Sequence, residues 1–243
     1  MIIRHALAAF SGLFYSLRYW RKFAITRSET KRYLFKSVSL SLCYVGFSAR
    51  GSFREAILAG KCGFICCAYD VATDWRNFDP KYRNILELVL SEQVSAQETA
   101  LALRLYDLEV ANAVREDGLE RGVVAFDFIM SVMGSKSAFE KLISVHEIGS
   151  LCQIADDVLD YEQDVMRKEL NCLQSPRREN HLRRLVTSFT EGRVRHLFPK
   201  GAFLRSVLKR AVIKAKGLLE VDGNEAPVYL HPSNVDRSVD QQM

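Results

Sequence analysis

Asp156, Asp160 and Asp164 stand at i, i+4 and i+8 in the segment Gly149-Ser150-Leu151-Cys152-Gln153-Ile154-Ala155-Asp156-Asp157-Val158-Leu159-Asp160-Tyr161-Glu162-Gln163-Asp164. A spacing of four stacks side chains on one helix face, where like charges repel by roughly 0.2–0.5 kcal/mol per pair. A cation is expected to offset that repulsion. Mg²⁺ holding a phosphorylated ligand suits it, because Mg²⁺ takes hard oxygen donors and keeps positions for phosphate and water. Upstream, Asp70 and Asp74 repeat the spacing after the apolar run Phe64-Ile65-Cys66-Cys67-Ala68. Two carboxylates at the end of a buried helix need compensation, since an unpaired buried ion costs several kcal/mol. Plain solvation is the alternative for each set: a helix end for the first, an acidic surface for the second. An EF-hand is excluded, because its turn glycine and alternating oxygen ligands are missing.

Helical periodicity supplies the elements that must carry these acids. Residues 53 to about 75 read as one buried helix capped by Ser52, and Lys81 to Leu90 as a shorter one. Ser95 and Glu98 form a capping box opening a helix to about Arg115. Glu116 to Met133 reads as a helix loosened near Gly118 and Gly122. A helix of about 30 residues is predicted from near Ser137 past Asp164. Further helices start at Pro176, running through Phe189, and at Pro199, running to Leu219. Strand signals are nearly absent, so the spacing predicts an all-α bundle of about eight helices around a central apolar cavity. Phe47, Phe64, Tyr69, Phe126, Phe128 and Tyr161 are candidate lining residues, although aromatics at helical spacing are more often plain core.

The chain of 243 residues has no Gly/Pro/Ser-rich linker and is 48% hydrophobic, enough for a sizeable core. We divide it into an amphipathic N-terminal helix over 1–30, a helical domain over 31–222 and a polar tail over 223–243. The first segment ends in Arg18, Tyr19, Trp20, Arg21 and Lys22 without a clear cleavage site, which suits a helix touching a membrane surface. Lys61 interrupts the most hydrophobic stretch, Ala56 to Ala68, and no membrane span is predicted. The six cysteines lack Cys-x-x-Cys spacing and read as small buried hydrophobes in a reducing compartment. The net charge of +5 comes without a nucleic-acid reading motif, so an anionic small ligand or an anionic membrane is the expected partner. Gly134-Ser135-Lys136-Ser137 is no P-loop, and His146-Glu147 lacks the second histidine of a zinc-protease helix.

Gly149-x-x-Cys152-Gln153-x-x-Asp156-Asp157-x-x-Asp160-x-x-x-Asp164 resembles the second aspartate-rich motif of trans-prenyl diphosphate synthases, with Cys152 where they usually have Phe. The spacing is also similar to the second metal motif of terpene cyclases. Asp70-x-x-x-Asp74 resembles the first motif of squalene and phytoene synthases. The chain therefore looks like a member of the class I isoprenoid synthase superfamily. It departs in following the first motif with Trp75-Arg76-Asn77 rather than an Arg-Arg pair, and in its shorter length. The resemblance implies an isoprenoid-synthase-type bundle in which Asp70, Asp74, Asp156, Asp160 and Asp164 bind about three Mg²⁺ ions. Arg115, Arg121 and Lys168 are the candidate diphosphate contacts.

The implied activity is a terpene synthase, a carbon–oxygen lyase that ionises one prenyl diphosphate of C15 or C20 length. The carbocation then cyclises or is quenched. Condensation of two prenyl diphosphates, a transferase reaction, is the nearest alternative. A non-catalytic helical protein binding prenyl lipids or a partner subunit is the second. The expected setting is cytoplasmic with peripheral membrane contact, and self-association as a homodimer is compatible with it.

Overall fold

The computed structural model describes residues 2–23, 27–73, 80–111, 118–167 and 171–222. The described residues form eleven α-helices: α1 (Ile2–Phe23), α2 (Arg27–Tyr44), α3 (Phe53–Thr73), α4 (Pro80–Gln93), α5 (Ala96–Ala111), α6 (Leu119–Met133), α7 (Lys136–Phe139), α8 (Val145–Arg167), α9 (Arg178–Ser188), α10 (Glu191–Leu197) and α11 (Ala202–Asp222). Two short 3-10 turns, Val45–Phe47 and Cys172–Gln174, join them, and no strand occurs among the described residues. The all-α expectation holds.

The helix count exceeds the expected eight in part because one long reading is interrupted and a short helix, α10, lies where none is predicted. The helix expected from Ser137 past Asp164 divides into α7 and α8. Ser144 accepts a hydrogen bond from the Glu147 amide (3.0 Å) and starts α8 afresh. This α10 sits between α9 and α11, after Thr190 turns extended. Gly118 lies just before α6 with φ of 60°, and Gly122 sits inside an unbroken helix rather than at a kink.

Capping boxes set two helix starts as expected. At α3, Ser52 Oγ accepts from the Glu55 amide (3.1 Å) and the Ser52 amide donates to Glu55 (2.7 Å). Burial works against the Glu55 charge, but amides of Arg50 and Ser52 outweigh it and hold the carboxyl below its ordinary value. At α5, Ser95 and Glu98 exchange the same pair of bonds (3.3 and 2.8 Å).

Small residues let α1, α2 and α3 approach backbone to backbone. A Cβ on Gly60 would lie 2.5 Å from the Ala8 carbonyl and 2.7 Å from the Gly12 nitrogen. One on Gly63 would lie 2.6 Å from the Ser41 nitrogen. Ser16 donates to Ser37 (2.9 Å) and Ser37 to the Gly12 carbonyl (3.3 Å), so hydroxyls satisfy one another inside this contact. Gly12 meets Gly60 and Tyr19 meets Phe64, so α1 and α3 run in the same direction. Tyr33 meets Cys67 and Ser41 meets Gly60, so α2 runs antiparallel to α3 and packs beside both. By length and composition α3 can cross a membrane, yet 72% of its apolar stretch is buried in the bundle, as befits a core helix. Its interrupting Lys61 donates to the Gln93 carbonyl (2.7 Å) at the end of α4, satisfying an orphan acceptor.

A second close contact joins α6 to α8, where a Cβ on Gly149 would meet the Gly122 carbonyl oxygen at 2.7 Å. Phe47, Phe126, Phe139 and Phe198 pack edge-on or tilted, with centroids 5.1–6.3 Å apart. Gly149→Ala is expected to destabilise by about 1–3 kcal/mol through overpacking, against a helix-propensity gain of about 1 kcal/mol. Gly217→Ala, at a position in α11 with open space around it, is expected to stabilise by about 0.5–1 kcal/mol. Urea unfolding of both variants measures the contrast.

Candidate active site

Asp70 near the end of α3 and Lys36 of α2 come close enough to Asp156 and Asp160 on α8 for their charges to bear on the Asp156 carboxyl. Burial, joined by the negative charges of Asp160, Asp157 and Asp70 and opposed by Lys36, pushes the Asp156 carboxyl up to about 7. Asp156 nevertheless remains open to solvent. The two acid-bearing helices thus lie close enough for the charge of one to be felt on the other.

The other acids of the second motif are differently employed. Asp157 is buried and accepts from the Cys172 amide (2.7 Å) and Gln153 Nε2 (2.7 Å), with the Arg121 guanidinium 3.8 Å away. Arg121 also donates to the Gly118 carbonyl (3.2 Å). The structure therefore places this candidate diphosphate contact, largely buried, against Asp157, joining α6 to α8. Asn171 donates from its Nδ2 to Asp164 and to the Asp157 carbonyl, both at 2.8 Å, so Asp164 is tied to the turn that follows α8. Asp74, Arg115 and Lys168 lie outside the described residues.

Lys36 of α2 is the basic group that sequence reasoning missed. Its ammonium sits 2.5 Å from Asp70. It stands 34 residues upstream of its partner in a helix without a motif, so only the fold brings the two together. Arg178 of α9 is the second omission. It donates to the Tyr161 hydroxyl (2.9 Å) and lies over that ring at 5.0 Å, one residue along α8 from Asp160. Lys214 of α11 completes the basic side, bonded to Glu162 and to the Leu159 carbonyl.

Around the acids the walls are neutral thiols and a phenol. Burial pushes Cys43, Cys66 and Cys152 each up to about 12; Asp156 adds to the first and third, and Asp70 to the second. Tyr44 is raised by burial as well. All six cysteines are free. Of the candidate lining aromatics, Phe47, Phe64, Tyr69, Phe126 and Phe128 are buried in the packed core, and Tyr161 is half-buried beneath Arg178. A cleft of about 310 Å³ lies elsewhere, between α5 and α6 beside Arg104, Asp127 and Lys136.

Among the described residues no three acidic, histidine or cysteine side chains close around one point as a finished metal sphere. The donor chemistry nonetheless fits Mg²⁺. Asp70, Asp156 and Asp160 offer hard oxygen donors, and Mg²⁺ usually takes few carboxylates. Comparisons with family models, curated proteins and solved structures returned no match.

In metal-free buffer, stability is expected to fall as pH rises from about 4 towards 7. The folded Asp156 holds its proton up to about 7, whereas the unfolded one loses it near 3.9. Asp156→Asn should flatten that slope and exceed the parent protein above pH 7, as followed by urea unfolding across pH. Asp157→Ala is expected to cost about 3–5 kcal/mol, because it removes the buried carboxylate that Arg121 and the Cys172 amide face. Thermal unfolding at neutral pH checks it.

Proposed function

We propose that the chain is a Mg²⁺-dependent class I isoprenoid synthase that ionises one prenyl diphosphate, releases diphosphate and lets the carbocation cyclise or lose a proton. The observation that carries the reading is the approach of Asp70 on α3 to Asp156 and Asp160 on α8, where burial first and the neighbouring carboxylates second push the Asp156 carboxyl up to about 7. Asp70, Asp156 and Asp160, together with Asp74 and Asp164, are the residues that would hold the metal. When bound, Mg²⁺ supplies positive charge that eases departure of the diphosphate.

The protein's own groups have separate parts in this reading. Lys36, already at Asp70, adds a cation on the diphosphate side. Arg178, braced on Tyr161, presents a guanidinium beside the second motif. Asp156 yields its proton when a cation arrives, so ion binding and ionisation of the site are linked. The thiols of Cys43, Cys66 and Cys152 stay protonated at neutral pH. A thiolate would trap an allylic carbocation, whereas these neutral walls only exclude water. Six free thiols suit a reducing, cytoplasmic setting.

Condensation of two prenyl diphosphates is the second reading. Lys36 favours it, as a basic residue upstream of the first motif where a second diphosphate needs one. Incubation with Mg²⁺ and each prenyl diphosphate from C10 to C20, with and without isopentenyl diphosphate, separates the two. Hydrocarbon or alcohol from a single substrate supports the synthase, and a longer or doubled chain supports condensation. Asp70→Ala and Asp160→Ala are each expected to lower turnover at least about a hundredfold with helix content and melting temperature retained. Undiminished turnover in both variants would refute the reading.

A further inference from the structure

The outer face of α1 is apolar and uncovered. Ile3, Phe10, Phe14 and Leu17 recur at intervals of seven, four and three along one side of the helix, and they are 69%, 73%, 61% and 59% exposed. The opposite side is fully employed, with Ala8, Ser16 and Tyr19 all completely buried. Phe53 and Ile57 of α3 are exposed as well. Ser11 donates to the Ile57 carbonyl (2.9 Å), which sets this part of α3 alongside α1. Exposed apolar surface of this extent, on a helix locked into the bundle, marks an interaction face.

Charge says what covers it. Residues 1–28 contain Arg4, Arg18, Arg21, Lys22 and Arg27 and no Asp or Glu, so they carry the whole net charge of +5 and the remaining residues balance to zero. Arg18, Arg50 and Arg54 are exposed, and Arg4 reaches Gly51 at the approach to α3. A second copy of the chain would bring the same basic rim against itself with no acid on α1 to pair. An anionic bilayer supplies both an apolar interior for the phenyl rings and phosphates for the arginines.

We propose that the outer face of α1, with Phe53 and Ile57 beside it, seats the protein on an anionic phospholipid surface. The aromatic rings enter the acyl boundary and the arginines lie at the headgroups. This docking stands independently of the catalytic reading.

Co-sedimentation of the full chain with phosphatidylcholine vesicles, with and without phosphatidylserine, tests it. Binding is expected to phosphatidylserine vesicles and to weaken with salt. Phe10→Ser/Phe14→Ser is expected to lower partitioning at least about tenfold at an unchanged melting temperature. Absent binding to phosphatidylserine vesicles, or equal binding to pure phosphatidylcholine, overturns the proposal. So does undiminished binding of the double variant, which would assign attraction to the basic residues alone. A concentration-dependent dimer that disappears in the double variant would give the face to a second copy and overturn it too.

Discussion

Two backbone-to-backbone helix contacts govern where the acids can be. Gly60 and Gly63 let α3 touch α1 and α2 without intervening side chains, and Gly122 with Gly149 does the same for α6 and α8. Helices usually pack 8–10 Å apart, with the distance set by the residues between them. At these glycines the side-chain layer is missing, and the neighbouring backbone sets the limit. Since α3 carries Asp70 and α8 carries Asp156 and Asp160, each of these contacts anchors a helix that bears acids. The hydroxyls of Ser16, Ser37 and Ser41 suit such tight seams, being small enough to fit and able to satisfy carbonyls that water cannot reach.

Polar anchors finish what the glycines begin. Asp157 alternates with Asp156 along α8 but turns the other way, into bonds with the Cys172 amide, Gln153 and Arg121. Adjacent aspartates thus have opposite fates: one locks the turn after α8 and joins α6, and the other is left among like charges without comparable support. Removing the first takes from a buried guanidinium and an amide the carboxylate that they share. Replacing the second relieves a repulsion.

Much of the local structure was legible in the sequence because it rests on near neighbours. The boxes at Ser52/Glu55 and Ser95/Glu98 lie three residues apart, and α3, α4 and α6 follow from periodicity. The interruption at Ser144 was harder to read, since one serine hydroxyl outweighs a periodic pattern on both sides. The shared helix face of Asp156, Asp160 and Asp164 was also readable. The tie between Asp164 and Asn171 was not, because it depends on a turn beyond the helix. Lys36 and Arg178 illustrate the remaining gap. Their partners are distant in sequence, and nothing in the residues around either one announces them.

Lys36 also changes what it means for a metal to reach Asp70. The carboxylate already has a counter-ion drawn from its own chain, so a dication there, as the proposed function requires, would be an exchange rather than an addition. Occupancy is then governed by the difference between two pairings, and a monovalent ion brings no more charge than the ammonium it would displace. On the proposed reading, a doubly charged ion is the one that gains charge by taking the place of that ammonium.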